Sequence, residues 1–282
     1  MKPVEHLLKS LFAMASMVEA RDPYTGGHLW RVSQYSRLLA EVGGLAPNEV
    51  ARVALGGFLH DLGKVGVPDA ILNKRDKLTD EEYAVIKTHP EVGNRLLSDH
   101  PLADLVRSAI LSHHEMPDGR GYPNGLSGAA ISVDASIVGI CDAFDAMTST
   151  RPYRSGMPLE QALKIIEANL DTQFHEVWGR HFIQLGQAGR LDHIVGHSDA
   201  GIPVQECPMC GPTIVISRRH LNGDHVYCRS CGAEAKLTRD GKQLSITPTG
   251  KKGASANLEP EIDNSLLNEL VLESSKLLAV NL

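Results

Sequence analysis

The stretch Phe58-Leu59-His60-Asp61-Leu62-Gly63-Lys64 sets a histidine and an aspartate side by side among apolar residues. A neutral imidazole nitrogen suits a borderline metal ion, and an adjacent carboxylate can bridge two ions. Lys64 follows His60 by four residues, one helical turn, which predicts its ammonium on the same face. A His-Asp pair by itself marks a hydrogen-bonded core as readily as a metal site, so its company has to decide.

That company is His28, His89, the pair His113-His114, and Asp142. Each falls on or at the end of a predicted helix of its own, and helices packed as a bundle can aim such side chains at a common core site. Adjacent residues on an ideal helix point about 100° apart, so His113 and His114 are expected to serve two ions, one each.

The surrounding sequence reads as helical to about residue 197. Apolar positions recur at helical period, as at Val32, Tyr35 and Leu39. Thr79 with Glu82 forms a capping box. Pro47, Pro101 and Pro158 stand where first-turn prolines belong. Gly43-Gly44, Gly63, Gly66 and the run from Asp118 to Gly128 are breaks. Pro90 is expected to end or kink the helix begun at Thr79, leaving His89 at the boundary.

The formal net charge of −6 argues against a general nucleic-acid or anionic-membrane surface. It leaves room for an anionic small substrate, because bound metal ions supply local positive charge. No stretch approaches the ~20 apolar residues that span a bilayer. The run from Phe12 to Val18 is short and closely followed by Glu19, Arg21 and Asp22, so it reads as an amphipathic helix and the chain as cytoplasmic.

The character changes near Gly201. Thr213 to Ser217, His225 to Cys228 and Leu244 to Thr247 read as short strands, with turns at Asn222-Gly223 and Asp240-Gly241. Cys207-Pro-Met-Cys210-Gly and Cys228-Arg-Ser-Cys231-Gly are two Cys-x-x-Cys turns, the pattern of a zinc ribbon closed by four thiolates. Two redox-active pairs are the alternative. His220 and His225 are not needed as ligands, and Cys141, inside an apolar run, reads as a buried free thiol. Residues 248–257 read as a linker, and 258–282 as an amphipathic helix with Ile262, Leu266, Leu270 and Leu277 on one face, docking on the body or a partner.

At the level of motifs the chain resembles the HD-GYP family, a branch of the HD phosphohydrolases. The matching stretches are Glu19-Ala-Arg-Asp-Pro-Tyr-Thr-Gly-Gly-His28, His60-Asp-Leu-Gly-Lys-Val-Gly-Val-Pro68, Asp69-Ala-Ile-Leu-Asn-Lys74 and Lys87-Thr-His-Pro90. They continue with His113-His-Glu115, Asp118-Gly-Arg-Gly-Tyr-Pro123 and the segment from Asp142 to Arg154. The resemblance implies an all-α HD-type catalytic domain over residues 1–197, ahead of the small β zinc-ribbon module at 204–247 and the C-terminal helix. It also implies metal-dependent hydrolysis of cyclic di-GMP to pGpG or GMP.

Carried over motif by motif, the metal ligands are His28, His60, Asp61, His89, His113, His114 and Asp142, with Asp61 bridging. Three-metal members have a glutamate four residues before the first histidine. Tyr24 stands there, so two divalent transition metals are expected, iron or manganese by family and donor set. A metal-bridging hydroxide would attack phosphorus, and Lys64 would stabilise or protonate the departing oxygen. The resemblance puts Tyr122, Arg151 and Arg154 at the substrate, Asp22 near a guanine and Asp145 behind the ligands. Pro117, where the family usually has tryptophan, and His175, for a common aspartate, depart from the pattern.

Rival readings are a non-catalytic cyclic di-GMP receptor, a phosphohydrolase for another nucleotide, and an adaptor working through the ribbon and tail. Those two parts are the candidate surfaces for a protein partner or a homodimer. No membrane or nucleic-acid partner is expected.

Overall fold

A computed structural model of the chain describes residues 3–22, 26–74, 76–150, 155–241, 243–259 and 261–278. Among the described residues ten α-helices come first: α1 (Pro3–Glu19), α2 (His28–Val42), α3 (Pro47–Leu59), α4 (Asp69–Leu72), α5 (Asp80–Ile86), α6 (His89–Leu96), α7 (Ala103–Ser112), α8 (Val133–Thr148), α9 (Leu159–Ala168) and α10 (Glu176–Gln187). The expected all-α body is therefore present. α2 and α3 pack side by side, α8 packs on both, and α7 packs on α3 and α8.

Local signals explain most of the helix boundaries. Pro47 opens α3 with its fixed φ. Thr79 Oγ1 accepts from the backbone of Glu82, whose carboxylate accepts from Thr79 N, so α5 starts on a complete capping box. Pro90 sits in the first turn of the next helix, so the helix begun after Thr79 ends before it, at Ile86, and His89 stands at the boundary as expected. Pro158 is the residue before α9, and Pro101 stands two residues ahead of α7.

The body's core is aromatic at its centre. Tyr35 meets Phe144 at 5.3 Å and Phe182 at 6.2 Å between ring centroids, both edge to face. Phe12 meets Phe58 at 5.0 Å, which locks α1 to α3. Cys141 is fully buried, as expected for a free thiol, and burial pushes its pKa up.

Beyond α10 the chain turns to short antiparallel strands. β1 (His197–Asp199) pairs with β2 (Ile202–Pro203), and β3 (Gln205–Glu206) with β4 (Thr213–Ile214). β5 (His225–Tyr227), β6 (Ala233–Asp240) and β7 (Gln243–Lys252) form a three-stranded sheet in that order. β6 was not expected, and β7 runs further than expected. Residues 248–252 of the expected linker belong to β7, and Ser255–Leu258 make a 3-10 turn. The misreading has a physical origin. β7 is a largely exposed edge strand, and edge strands carry polar and lysine-rich sequence that reads as linker.

α11 (Asn264–Leu277) returns to the helical body and packs on α1 and α3. Its buried face is Leu267, Leu270, Val271 and Ser274. Leu266 and Ile262 are only partly covered, and Leu277 is exposed. Among the described residues no helix is long and apolar enough to cross a membrane.

Candidate metal centre

Five elements converge on one point in the body. His28 opens α2, His60 directly follows α3, His89 opens α6, His113 and His114 directly follow α7, and Asp142 lies in α8. His28, His60 and Asp142 form one group whose donor atoms lie within 4.8 Å of one another, and His89, His113 and His114 form another. His113 also belongs to a third such group, with His60 and Asp61, so it reaches both sides of the centre while His114 does not. α7 ends at Ser112, so the two residues leave the helix and their rings come to 4.1 Å from each other.

Asp61 lies between the groups. Its Oδ2 is 3.4 Å from Nε2 of both His28 and His60, while Oδ1 is 3.5 Å from Nε2 of His89. Asp142 Oδ1 is 3.5 Å from His28 Nε2 and 3.6 Å from His60 Nε2. These gaps are too long for strong hydrogen bonds.

The outer ring nitrogens explain why Nε2 points inward. Nδ1 donates to Gly57 O from His60 (2.8 Å), to Ile86 O from His89 (2.7 Å) and to Ala109 O from His113 (2.9 Å). A carbonyl only accepts, so Nδ1 carries a proton and Nε2 is the nitrogen turned to the centre. His28 Nδ1 is bound by Asp145 Oδ2 at 2.7 Å, so Asp145 stands behind a candidate ligand as expected.

Charge divides the centre. Burial would raise Asp61, but Lys64 Nζ at 2.6 Å and the facing histidines hold its carboxyl well below the usual range. Asp142 is held down in the same way by His60 and His28 against its burial. Burial would lower His60, but Asp61 and Asp142 outweigh it and raise the imidazole to about 10. On the other side burial dominates: it lowers His89, takes His113 well down and brings His114 to about 3. Three neutral imidazoles therefore face two charged carboxylates, a donor set that fits divalent transition metals.

A family model described as HD domain matches residues 13–175, more than half of the chain. The chain belongs to the HD domain family. It is 40% identical over 162 residues to a cyclic di-GMP phosphodiesterase response regulator of Xanthomonas campestris pv. campestris, covering 57% of this chain and 43% of that protein. A cyclic di-GMP phosphodiesterase of Thermotoga maritima is 40% identical over 166 residues, 58% of this chain and 45% of the relative. A 3'3'-cGAMP-specific phosphodiesterase of Vibrio cholerae is 41% identical over 163 residues, 57% and 35%. The chain spans less than half the length of each of these curated relatives. A crystal structure of a cyclic GMP-AMP-specific phosphodiesterase of V. cholerae shares the fold, with TM-score 0.50 at 19% identity over 64% of this chain and 49% of that one.

Within the HD domain the other expected site residues fall as follows. Lys64 lies on a 3-10 turn (Leu62–Gly66), not on a continued α3, and its ammonium pairs with Asp61. Tyr122 stacks on His114, with 4.6 Å between ring centroids and 24° between planes. Asp22 shares a small cavity with His28, Asp61 and Lys64. Pro117 and His175 line a cavity of about 200 Å3 that reaches His114 and Asp142. Tyr24, Arg151 and Arg154 lie outside the described residues.

Some residues of the HD domain escaped the sequence reading. Arg31, one turn after His28, is buried and clamps Asp145. Its place between Trp30 and Val32 was the available signal. Glu115 is buried and accepts from Asn124 N (2.7 Å) and Leu126 N (2.8 Å), which ties the Gly-Tyr-Pro loop to the end of α7. Lys87 Nζ lies 5.9 Å from the Tyr122 ring centroid and 5.3 Å from that of Tyr83.

Proposed function

We propose that this chain is a metal-dependent phosphodiesterase for cyclic di-GMP. The observation that carries the reading is the division of Asp61, with one carboxylate oxygen toward His28 and His60 and the other toward His89. That is the arrangement of a bridging ligand between two ions. His28, His60 and Asp142 would hold one ion, His89, His113 and His114 the other, with iron or manganese preferred. When bound, the pair supplies Lewis acidity toward an anionic phosphodiester and toward water.

The chain's own residues do the remainder. The Nδ1 hydrogen bonds of His28, His60, His89 and His113 fix those rings so that no reorientation is required as the substrate arrives. Lys64 holds a proton and a positive charge beside the bridging carboxylate, where it serves the departing sugar oxygen. Tyr122 offers a flat face for a guanine. Arg151 and Arg154 are proposed phosphate and guanine contacts on the strength of the motif they belong to. The product is pGpG or GMP, and the reading places the enzyme in the cytoplasm.

A second reading, 3'3'-cGAMP as substrate, is favoured by the similar identity to relatives named for each activity. The test is hydrolysis of both dinucleotides by protein loaded anaerobically with Fe(II) or Mn(II), with Asp61→Ala as control. Linear product from the wild type alone supports the phosphodiesterase. Tight binding without product, at full metal occupancy, replaces it with a receptor.

A further inference from the structure

The strand-rich module lies outside the segment matched by the HD domain model, and its cysteines meet at one point. Cys207 Sγ is 3.7 Å from Cys231 Sγ, and Cys210 Sγ is 3.5 Å from Cys228 Sγ. All four sulfurs lie within 4.8 Å of one another. Four thiolates at about 2.3 Å from a tetrahedral zinc ion stand about 3.8 Å apart. A disulfide would require about 2.05 Å.

The backbone repeats itself around the two pairs. Gly211 N donates to Cys207 O and Gly232 N to Cys228 O (2.9 and 2.7 Å), while Cys207 N donates to Pro212 O and Cys228 N to Ala233 O (2.8 and 2.9 Å). These are two equivalent knuckles. The apolar cluster around them is small, with Ile202, Ile214, Ile216, Val226 and Leu237 at its centre, so a metal staple suits the module.

The knuckles also press on the segment that delivers His28. Arg229, inside the second knuckle, donates from Nη2 to Ala20 O at 2.5 Å, just past the end of α1. At the other end of that segment Gly26 lies against β4 and its continuation: an added Cβ would sit 2.8 Å from Val215 Cγ2 and 3.0 Å from Thr213 Cγ2. Gly27 lies so close to β1 that its Cβ would be 2.4 Å from Ser198 Cα. His28 is the next residue. Arg31 closes the frame, donating from Nη1 to Gly26 O (3.1 Å) and His197 O (2.9 Å).

We propose that Cys207, Cys210, Cys228 and Cys231 hold one structural Zn2+, and that the loaded module clamps Ala20, at the end of α1, and Gly26 and Gly27, at the start of α2, so that His28 is positioned for its ion. The clamp rests on the reading of His28 as a metal ligand, whereas the zinc site does not. Arg229 is a positioning residue, acting through Ala20 and the adjoining Glu19, whose carboxylate accepts from Leu29 N (3.0 Å), the residue after His28.

The test uses the full chain and metal content as its readout. Wild-type protein is expected to keep one zinc per chain through dialysis, and a Co2+-substituted sample to show thiolate-to-cobalt charge transfer. Arg229→Ala is expected to retain that zinc and its melting temperature while binding Mn2+ at the histidine centre about tenfold more weakly, with Arg229→Lys restoring part of the loss. Cys228→Ser should lose zinc and show the same weakening. If it does not fold, the arginine variants still decide. Unchanged Mn2+ affinity in Arg229→Ala overturns the clamp. Absence of zinc together with absence of the cobalt band overturns the ribbon site. A wild type that holds zinc but takes up no Mn2+ overturns the histidine centre, and the clamp with it.

Discussion

Arg31 grips Asp145 from two sides, Nε to Oδ1 at 2.6 Å and Nη2 to Oδ2 at 3.0 Å, while that second oxygen also takes the Nδ1 proton of His28. Both partners are almost fully buried. Asp145→Asn removes the charge that orients His28 and should weaken metal binding by about 10- to 100-fold, and it also costs stability because the buried Arg31 guanidinium loses its counter-charge. Arg31→Ala leaves a buried carboxylate without its partner and should cost about 3–5 kcal/mol of stability. Metal titration separates the first effect and denaturant unfolding the second. An Asp145→Asn chain that binds Mn2+ as tightly as wild type would show that this clamp does not reach the centre.

Lys64 sits 2.6 Å from Asp61 Oδ2 and a quarter of its side chain remains exposed, so its ammonium touches both the centre and solvent. Lys64→Ala should lower turnover of cyclic di-GMP by roughly 10²–10³, the usual effect of deleting one preorganised donor to a developing charge. Metal content should stay at the wild-type level. Unchanged turnover with full metal would remove Lys64 from the chemistry, and lost metal would recast it as support for Asp61.

The convergence of these side chains was legible because histidines and aspartates recur in ordered motifs, the histidines at helix ends and Asp142 within α8. What the spacing could not convey was backbone direction beyond a helix. His113 and His114 read as diverging because an ideal α7 was extended through them, whereas that helix stops at Ser112. Arg31 read as one more charge on a helix, since its role depends on Asp145, 114 residues away. Residues 248–252 read as linker because an exposed edge strand needs no apolar alternation. Local chemistry was visible in the sequence, and pairing between distant segments was not.

Gly63 illustrates a position whose identity is set by such a distant neighbour. The 3-10 turn after Asp61 lies directly on the start of α6, and a Cβ at residue 63 would come 1.8 Å from His89 O and 2.5 Å from Gly93 N. Neither is a side chain that can swing away. Gly63→Ala should therefore push α6 outward and destabilise the fold by about 1–3 kcal/mol. Because His89 opens α6, the same shift should weaken the metal group it shares with His113 and His114. Thermal unfolding and metal titration should fall together, and a variant with wild-type values in both would mean the two segments separate at little cost.

Tyr122 and Glu115 should separate substrate binding from catalysis. The Tyr122 ring lies nearly parallel to His114 and Lys87 approaches it from outside, so one face is occupied by a candidate ligand. Base stacking on an aromatic ring is worth roughly 1–3 kcal/mol, so Tyr122→Ala should raise KM about 5- to 150-fold with metal content preserved. Tyr122→Phe should retain most of the affinity, because stacking needs the ring and not the hydroxyl. Glu115 acts one step back, since its carboxylate holds two loop amides, and Glu115→Gln keeps the shape but replaces one of the two acceptor oxygens with an NH2 donor, so one of the bonds is lost. It should raise KM less than Tyr122→Ala and should not change the metal titration. Steady-state kinetics on all three variants decides the matter: a loss confined to kcat in Tyr122→Ala would place this ring with the reacting centre and not with the base.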